Sequence, residues 1–367
     1  MSKKDLTYWD YLKLDTILNL QTGFNKEEGF INTDELHFII VHQTLELWFK
    51  LFIRDMKDIV DILNVELVPE TSIPLIVEKL KRSSQIVRLA TNHFDVLETL
   101  LPQNFLEFRN KLGTASGFQS VQMREMEILM GLDDKQRFSL GGSNAIEHIK
   151  SAAILSEAGK RAWERIEKIK KDTNLKVVLN EWLYRTPING SSPELTSDVK
   201  VVEDFIESYL QGYELLLQEQ KQKLQETGIT DVQSLNNRMK LSLNQVKEFL
   251  EAADIPESEK YKQKRIRAGI LFIESYRNLP LLAWPRLLLD SIVELEEQFI
   301  LFRTRHARMV ERMIGRRIGT GGSSGVDYLD ATTKYRIFTD LWAVRTAILP
   351  KYCLPELNNK EFYDFAT

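Results

Sequence analysis

Hydrophobic residues recur at steps of three and four along most of the chain, which is the spacing of one face of an α-helix. The clearest case follows a loop at 23–32, where Thr33 is predicted to cap a long helix with Asp34 and Glu35 in its first turn. This helix is predicted to run to about Leu63, and it carries too many large apolar residues to lie on the surface. Alternating strand patterns are nearly absent, so the sequence predicts an all-α fold.

The same periodicity predicts further helices along the rest of the chain. They cover about 6–21, 73–100, 102–112, 118–130, 201–227, 232–253, 257–278, 286–315 and 334–347. Between 131 and 198 the pattern is less regular, although one helix with Trp163 and another with Trp182 are expected. We interpret 1–367 as a single large domain resembling a helical bundle, in which 133–285 forms a helical insertion or peripheral subdomain.

Composition and charge limit the classes of function. The chain has 367 residues, of which 43% are hydrophobic and 28% charged, as in ordinary soluble globular proteins. Its net charge of −4 is spread over runs of mixed sign, so no nucleic-acid partner is expected. Cys353 is the only cysteine, which excludes an internal disulfide and fits a cytoplasmic location. The chain shows no signal peptide and no spanning run of about twenty apolar residues, so no membrane partner is expected.

A histidine and a glycine-rich loop stand close together near the C-terminus. His306 lies in an apolar stripe at helical spacing, and the stripe also contains Ile292, Leu295, Phe299, Phe302, Met309 and Met313. Arg303 and three other arginines lie off this stripe. The loop GTGGSSG at 319–325 cannot continue the helix and exposes its backbone. Taken alone, a histidine on an apolar helix face is more often a core residue than a ligand.

Two further segments place polar side chains among apolar ones. In the long first-third helix, Phe38 and His42 are four residues apart and share a face. In the short helix after Pro102, Arg109 lies between apolar residues, where it could clamp a carboxylate or pair with Glu107. Two histidines on separate buried helices are compatible with a haem pocket.

Four motifs together resemble the tryptophan 2,3-dioxygenase family of haem-dependent indole dioxygenases. They are LTYWDYLKLD at 6–15, DELHFIIVHQTLELWFK at 34–50, FLEFRNKLGTASGFQSVQ at 105–122 and RHARMVERMIGRRIGTGGSSGVDYL at 305–329. Their order runs from near the N-terminus to near the C-terminus, so the resemblance spans most of the chain. Only the region of about 133–284 matches in helical character alone.

The resemblance implies an all-α haem enzyme that adds O2 across the indole C2–C3 bond of L-tryptophan. The product would be N-formyl-L-kynurenine, made in the first step of tryptophan catabolism by the kynurenine pathway. His306 falls at the axial ligand of the iron of haem b, which is ferrous in the active state. His42 falls at the catalytic distal histidine that accepts a hydrogen bond from the indole N–H, and Phe38 falls at the aromatic wall.

The resemblance also places the substrate's polar end. Arg109 falls at the residue that binds the carboxylate, with Phe105 and Leu112 lining the same cavity. Thr320 falls at the residue that contacts the amino and carboxylate groups, and Ser116 falls at a pocket hydroxyl near the haem. A site with groups that pair with a zwitterion rejects analogues lacking those charges, because its own polar groups would be left unpaired.

An oligomer is implied as well. Tyr8, Tyr11 and Leu12 fall at positions that, in the family, reach into a neighbouring subunit's site, which implies a homotetramer built as a dimer of dimers. Trp9 and Asp10 depart from the family pattern, where a glycine and a small or polar residue are expected. This departure keeps open a related haem enzyme that oxygenates a different indole. A third hypothesis is a non-enzymatic helical binding protein in which both histidines are core residues.

Overall fold

The computed structural model describes residues 7–23, 31–113, 115–139, 145–228, 231–317 and 325–364. Helices account for nearly all regular structure in these ranges, and the one β-type pairing described is an antiparallel bridge between Ile188 and Ser191. The prediction of an all-α fold is confirmed.

Fifteen α-helices are described. The first seven are α1 Tyr8–Leu12, α2 Leu14–Ile17, α3 Thr33–Leu63, α4 Ile73–Leu97, α5 Pro102–Arg109, α6 Val121–Met130 and α7 Ala145–Ala152. The others are α8 Glu157–Ile169, α9 Leu175–Arg185, α10 Asp198–Glu226, α11 Val232–Leu250, α12 Glu257–Ser275, α13 Ala283–Ile314, α14 Gly325–Thr332 and α15 Thr339–Ala343. Short 3₁₀ turns extend several of them, including Asn110–Leu112 after α5 and Gly117–Gln119 before α6.

The chain divides into two compact units. The first unit comprises 1–55, 83–172 and 297–335, and the second comprises 56–82, 173–296 and 336–367. The long helices α3, α4 and α13 each supply residues to both units. The boundaries cut across 133–285, and the interpretation of that region as an insertion in one domain stays a prediction.

The long helix α3 has the length that its periodicity predicts, but its cap differs. The Asn32 side chain, through Oδ1, accepts a hydrogen bond from the Glu35 N–H at 2.7 Å, and Thr33 is already the first helical residue. The prediction that Thr33 caps α3 was therefore wrong by one residue. Asparagine accepts such a bond as well as threonine does, so the sequence offered both choices.

α3 is also the one described helix that is long and apolar enough to cross a membrane by length and composition. Such a helix is weak support for a membrane span, because the core helix of a soluble protein has the same composition. Phe52, Met56 and Ile59 of α3 have no exposed surface within the protein. The C-terminal half of α3 therefore contributes to the core, whereas Ile40 and Leu47 in its first half are about half exposed.

The prediction of one helix over 334–347 was wrong. The chain instead forms α14 and then α15, and residues 334–338 between them are not helical. The buried Glu296 carboxylate accepts the backbone N–H groups of Ile337 and Phe338, and it also accepts the Trp342 indole N–H at 2.6 Å. Because these N–H groups bond to a side chain, α15 begins only after them.

Candidate active site

The His42 imidazole has its tautomer fixed by its own helix. Nδ1 lies 2.7 Å from the carbonyl oxygen of Phe38, one turn earlier in α3. Since a carbonyl can only accept, Nδ1 carries the hydrogen, and Nε2 of the neutral ring is left as an acceptor. Burial lowers the pKa of His42 below its ordinary value, although the bond to Phe38 and the charge of Glu46 act in the opposite direction. At neutral pH the ring therefore offers an acceptor nitrogen.

Aromatic rings gather on the His42 side of α3. The Phe38 ring lies 4.1 Å from the His42 ring between centroids, and 5.8 Å from Phe105 of α5. Phe108 packs edge-on to Phe105 at 5.4 Å and is almost fully buried. These rings form an apolar wall of a size that suits a flat aromatic ligand.

The second histidine, His306, lies on α13 in an apolar setting. Its ring stacks on Phe94 of α4 with centroids 5.4 Å apart and planes 8° from parallel, and Phe302 lies 5.9 Å away. Burial lowers the pKa of His306 to about 4, with smaller contributions from the charges of His42 and Arg124. The imidazole is thus neutral at pH 7 and its lone pair is free to bind a metal.

Both histidines are surrounded by protein and yet keep part of their surface accessible. The same half-buried state holds for the other described candidate pocket residues, which are Phe38, Phe105, Arg109, Leu112 and Ser116. Among the described residues no three His, Cys, Asp or Glu side chains are grouped to hold a metal ion.

Hydrogen bonds attach the His42 segment of α3 to the start of α6. Glu46, one turn after His42, accepts bonds from the Ser120 hydroxyl at 2.6 Å and from the Gln122 amide at 2.7 Å. Gln122 also donates to the Glu46 carbonyl at 2.6 Å. Charge-assisted bonds of this kind fix the position of the helix that carries His42.

The two described polar candidates, Arg109 and Ser116, lie at the end of α5 and shortly after it. α5 is held against the start of α3 by the Lys111–Glu35 ion pair at 3.0 Å and by the Asn104 amide, which donates to Asp34 at 2.8 Å. Arg109 is the last residue of α5, one turn after Phe105. Thr320 lies outside the described residues, so its predicted role stays a prediction.

Ser116 has a local structural role in addition to its predicted one. Its hydroxyl caps the 3₁₀ turn at Gly117–Gln119 by accepting from the Phe118 N–H at 3.3 Å, and Gln119 bonds back to its N–H. Phe118 in turn packs edge-on against Tyr328, in a hydrophobic cluster that also contains Ala307. The Ser116 segment is therefore anchored next to the helix that carries His306.

The N-terminal candidates do not reach the site within the same chain. Tyr8, Tyr11 and Leu12 of α1 are 66%, 76% and 42% exposed, and α1 and α2 bury no residue. Trp9 is also exposed and lies edge-on to Tyr8. Asp10 accepts a bond from the Thr7 hydroxyl at 2.6 Å, so its departure from the family pattern serves the cap of α1.

Sequence reasoning missed a buried charged cluster in the first unit. Glu127 of α6 pairs with Arg124 at 3.0 Å, Arg137 at 2.6 Å and Arg303 at 3.3 Å. Burial raises the pKa of the Glu127 carboxyl, but the three arginine charges outweigh this and hold it at about 2. We call Arg124, Arg137, Arg303 and Glu127 the arginine cluster. The position of Arg303 off the apolar stripe gave no sign of its burial.

Comparison with known proteins gives consistent matches over nearly the whole chain. The family model described as "Tryptophan 2,3-dioxygenase" matches residues 1–348. Tryptophan 2,3-dioxygenase of Sorangium cellulosum is 42% identical over 372 residues, covering 99% of this chain and 88% of that protein. Tryptophan 2,3-dioxygenase 2 of Ralstonia nicotianae is 42% identical, with 99% and 98% covered, and the Dictyostelium discoideum enzyme is 32% identical, with 100% and 90% covered.

Proposed function

The chain belongs to the tryptophan 2,3-dioxygenase family, and from this premise we propose how its own residues carry out the dioxygenation of L-tryptophan. The protein is an oxidoreductase that uses tryptophan and O2. We propose that it adds O2 across the indole C2–C3 bond to give N-formyl-L-kynurenine. Dioxygenation of a different indole is not favoured, because relatives that cover the full chain are named for tryptophan.

The proposed cofactor is haem b, and the residues present fit it. The family is haem-dependent. His306 offers a neutral imidazole in an apolar setting, and His42 is near enough for its charge to act on the pKa of His306. When bound, ferrous haem supplies the activation of O2. The remaining steps that we assign to the protein are binding, orientation and exclusion of water.

The observation that carries the proposal is the acceptor nitrogen of His42 beside an aromatic wall. An indole placed against Phe38 and Phe105 can donate its N–H to Nε2, since Nδ1 is already engaged by the Phe38 carbonyl. We propose that Arg109 binds the substrate's carboxylate through its paired donors. Thr320 would contact the amino and carboxylate groups, Leu112 would line the cavity, and Ser116 would lie near the haem.

The oligomeric state and the cellular location are proposed from surface exposure, composition and family membership. Exposure of Tyr8, Tyr11 and Leu12 leaves a large apolar surface that a second copy could cover. We therefore propose a homotetramer, arranged as a dimer of dimers, in which this segment completes the neighbouring site. A single cysteine and the soluble character of the family support a cytoplasmic location.

Haem ligation is tested by the absorption spectrum of the purified full-length protein expressed with ample haem. The wild type should show an intense Soret band, and His306→Ala should lose most of it because the axial ligand is absent. His93→Ala is the control, since His93 is a helical histidine outside the proposed site, and its Nδ1 already donates to the carbonyl one turn earlier in its helix. A colourless wild type, or equal loss in both variants, would contradict the proposal.

The role of Arg109 is tested by steady-state kinetics with tryptophan. Arg109→Leu should raise KM by about 10- to 100-fold, because a charge-assisted pair with the carboxylate is lost. Tryptamine lacks the carboxylate, so its turnover should change little in the variant. Unchanged KM for tryptophan, or equal losses for both substrates, would remove the carboxylate role from Arg109.

A further inference from the structure

The arginine cluster holds more positive than negative charge inside the protein. Three guanidiniums surround the single carboxylate of Glu127, an excess of two positive charges. Arg124, Arg137 and Arg303 are only 7%, 7% and 6% exposed. Asp134 at the rim pairs with Arg137 at 3.0 Å, but it is half exposed and is shared with Lys170 at 2.6 Å. The rim therefore adds no net negative charge.

An excess of buried positive charge lowers the stability of the folded protein, so stability alone does not explain the arginine cluster. Buried charges need partners of opposite sign, and an uncompensated one is strongly destabilising. Burial lowers the pKa of Arg303, and the charge of Glu127 does not fully restore it. Nε of Arg124 and one terminal nitrogen of Arg137 are buried and have no hydrogen-bond partner among the described residues. The cluster therefore has both the charge and the donors to accept a further anion.

The cluster lies beside the proposed haem ligand. Arg303 precedes His306 by one turn on α13, and its guanidinium is stacked over Tyr335 with its centre 5.0 Å from the ring centroid. Arg124 and Arg303 pair with the same carboxylate, Glu127, at 3.0 and 3.3 Å, so Arg124 is attached to the helix that carries His306. α6 begins next to the Ser116 segment, whose Phe118 packs against the hydrophobic cluster that contains Ala307. An anion bound here would thus lie within reach of a group ligated by His306.

We propose that the arginine cluster binds the carboxylates of the two propionate side chains of haem, and that Arg124 makes the direct contact. This inference rests on the proposed haem site. Two carboxylates balance the excess of two positive charges. Arg124 is the member best placed to donate, since it pairs with Glu127 alone. Arg137 pairs with both Glu127 and the rim residue Asp134, and the guanidinium of Arg303 lies against the rings of Tyr335 and Phe299.

The test compares haem with haem dimethyl ester, in which both carboxylates are neutralised, on haem-free full-length protein. Soret absorbance gives the affinity for each. The wild type should bind the ester about 10- to 100-fold more weakly, the range of one or two lost charge-assisted bonds. Arg124→Met should reduce this difference to less than about threefold, since haem can then no longer form the charge-assisted bond to Arg124 that the ester lacks. Arg124→Lys should restore part of it.

Arg165→Met is the matched control. Arg165 pairs with Glu125, the residue next to Arg124 in α6, but its side chain is 51% exposed and lies outside the arginine cluster. This variant should keep the wild-type preference for haem over its ester. If Arg124→Met does not fold, the wild-type comparison and Arg124→Lys decide the question.

The outcomes separate this inference from the proposed function. No Soret band with either ligand would overturn the haem site and this inference with it. Equal wild-type affinities, or a preference that persists in Arg124→Met, would overturn only the role of the arginine cluster. If Arg124→Met raises the KM for tryptophan but keeps the wild-type preference for haem over its ester, the cluster binds the substrate's carboxylate instead.

Discussion

Two buried arginine networks, one in each unit, solve the same electrostatic problem in different ways. In the second unit, Arg265 has no exposed surface and forms a two-point ion pair with Asp198 at 2.8 and 3.1 Å. Its remaining donors bond to the carbonyls of Tyr184, Thr186 and Ser191. All five N–H groups of this guanidinium are satisfied, and the pair is electrically neutral.

The acid of that pair is equally well satisfied. Asp198 also accepts bonds from the Ser191 hydroxyl at 2.9 Å and the Tyr261 hydroxyl at 3.0 Å. By contrast, the arginine cluster of the first unit has three guanidiniums for one buried carboxylate, and two of its buried nitrogens lack partners. The Arg265 network is complete without a ligand, whereas the arginine cluster is completed by an anion. Charge balance therefore distinguishes a structural network from a binding one.

The largest effect is expected from a substitution that breaks the Arg265 network. Arg265→Met should lower the free energy of unfolding by about 3–5 kcal/mol, because Asp198 would be left as a buried charge without its partner. Chemical denaturation of the full chain, followed by circular dichroism, measures the change.

Arg277→Met serves as the control for that substitution. Arg277 is in the same unit and pairs with Asp290 at 3.2 Å, but the two side chains are 41% and 35% exposed. Its loss should cost less than about 1 kcal/mol. Equal effects of the two substitutions would show that the Arg265 network does not carry the stability we assign to it.

A smaller loss of folding stability is expected when acid protonates Glu127 in the arginine cluster. The pKa of Glu127 is about 2 in the folded protein against 4.5 as its ordinary value, so the unfolded chain binds more protons between these values. The stabilisation is therefore complete above pH 4.5 and is lost as the pH falls towards 2. The full difference corresponds to about 3 kcal/mol.

Unfolding midpoints between pH 5 and pH 3 measure this dependence. Glu127→Gln should flatten the fall in stability, because the glutamine side chain does not titrate. Glu157→Gln, which changes an exposed glutamate in the same unit, should leave the fall unchanged. A variant Glu127→Gln that keeps the wild-type acid slope would show that the three arginines do not hold the carboxylate ionised.

The sequence predicted most of the helices because their signals are local. α3 follows from an apolar period sustained from its first turn to Leu63, with acids at its start. The break between α14 and α15 was missed because it depends on Glu296, which is 41 residues before Ile337 along the chain. Periodicity within a segment cannot report a hydrogen bond from so distant a residue.

The same difference between local signals and contacts with distant residues applies to the candidate site. His42 and His306 were identified from their apolar helix faces and from the resemblance, and the structure adds the tautomer of one and the stacking of the other. Arg303 was missed because its partner, Glu127, lies 176 residues away. An arginine off the apolar stripe is ordinarily solvated, and only a carboxylate on another helix makes its burial possible.

The bond between His42 and the Phe38 carbonyl has a consequence for redesign of the pocket. The carbonyl belongs to the main chain, so the proton on Nδ1 does not depend on which side chain stands at position 38. An engineer can therefore enlarge or reshape the wall at Phe38 for a bulkier indole while the acceptor nitrogen is retained. In the proposed site, selectivity for ring shape and recognition of the indole N–H would thus be separable by mutation, although a single helical turn carries both residues.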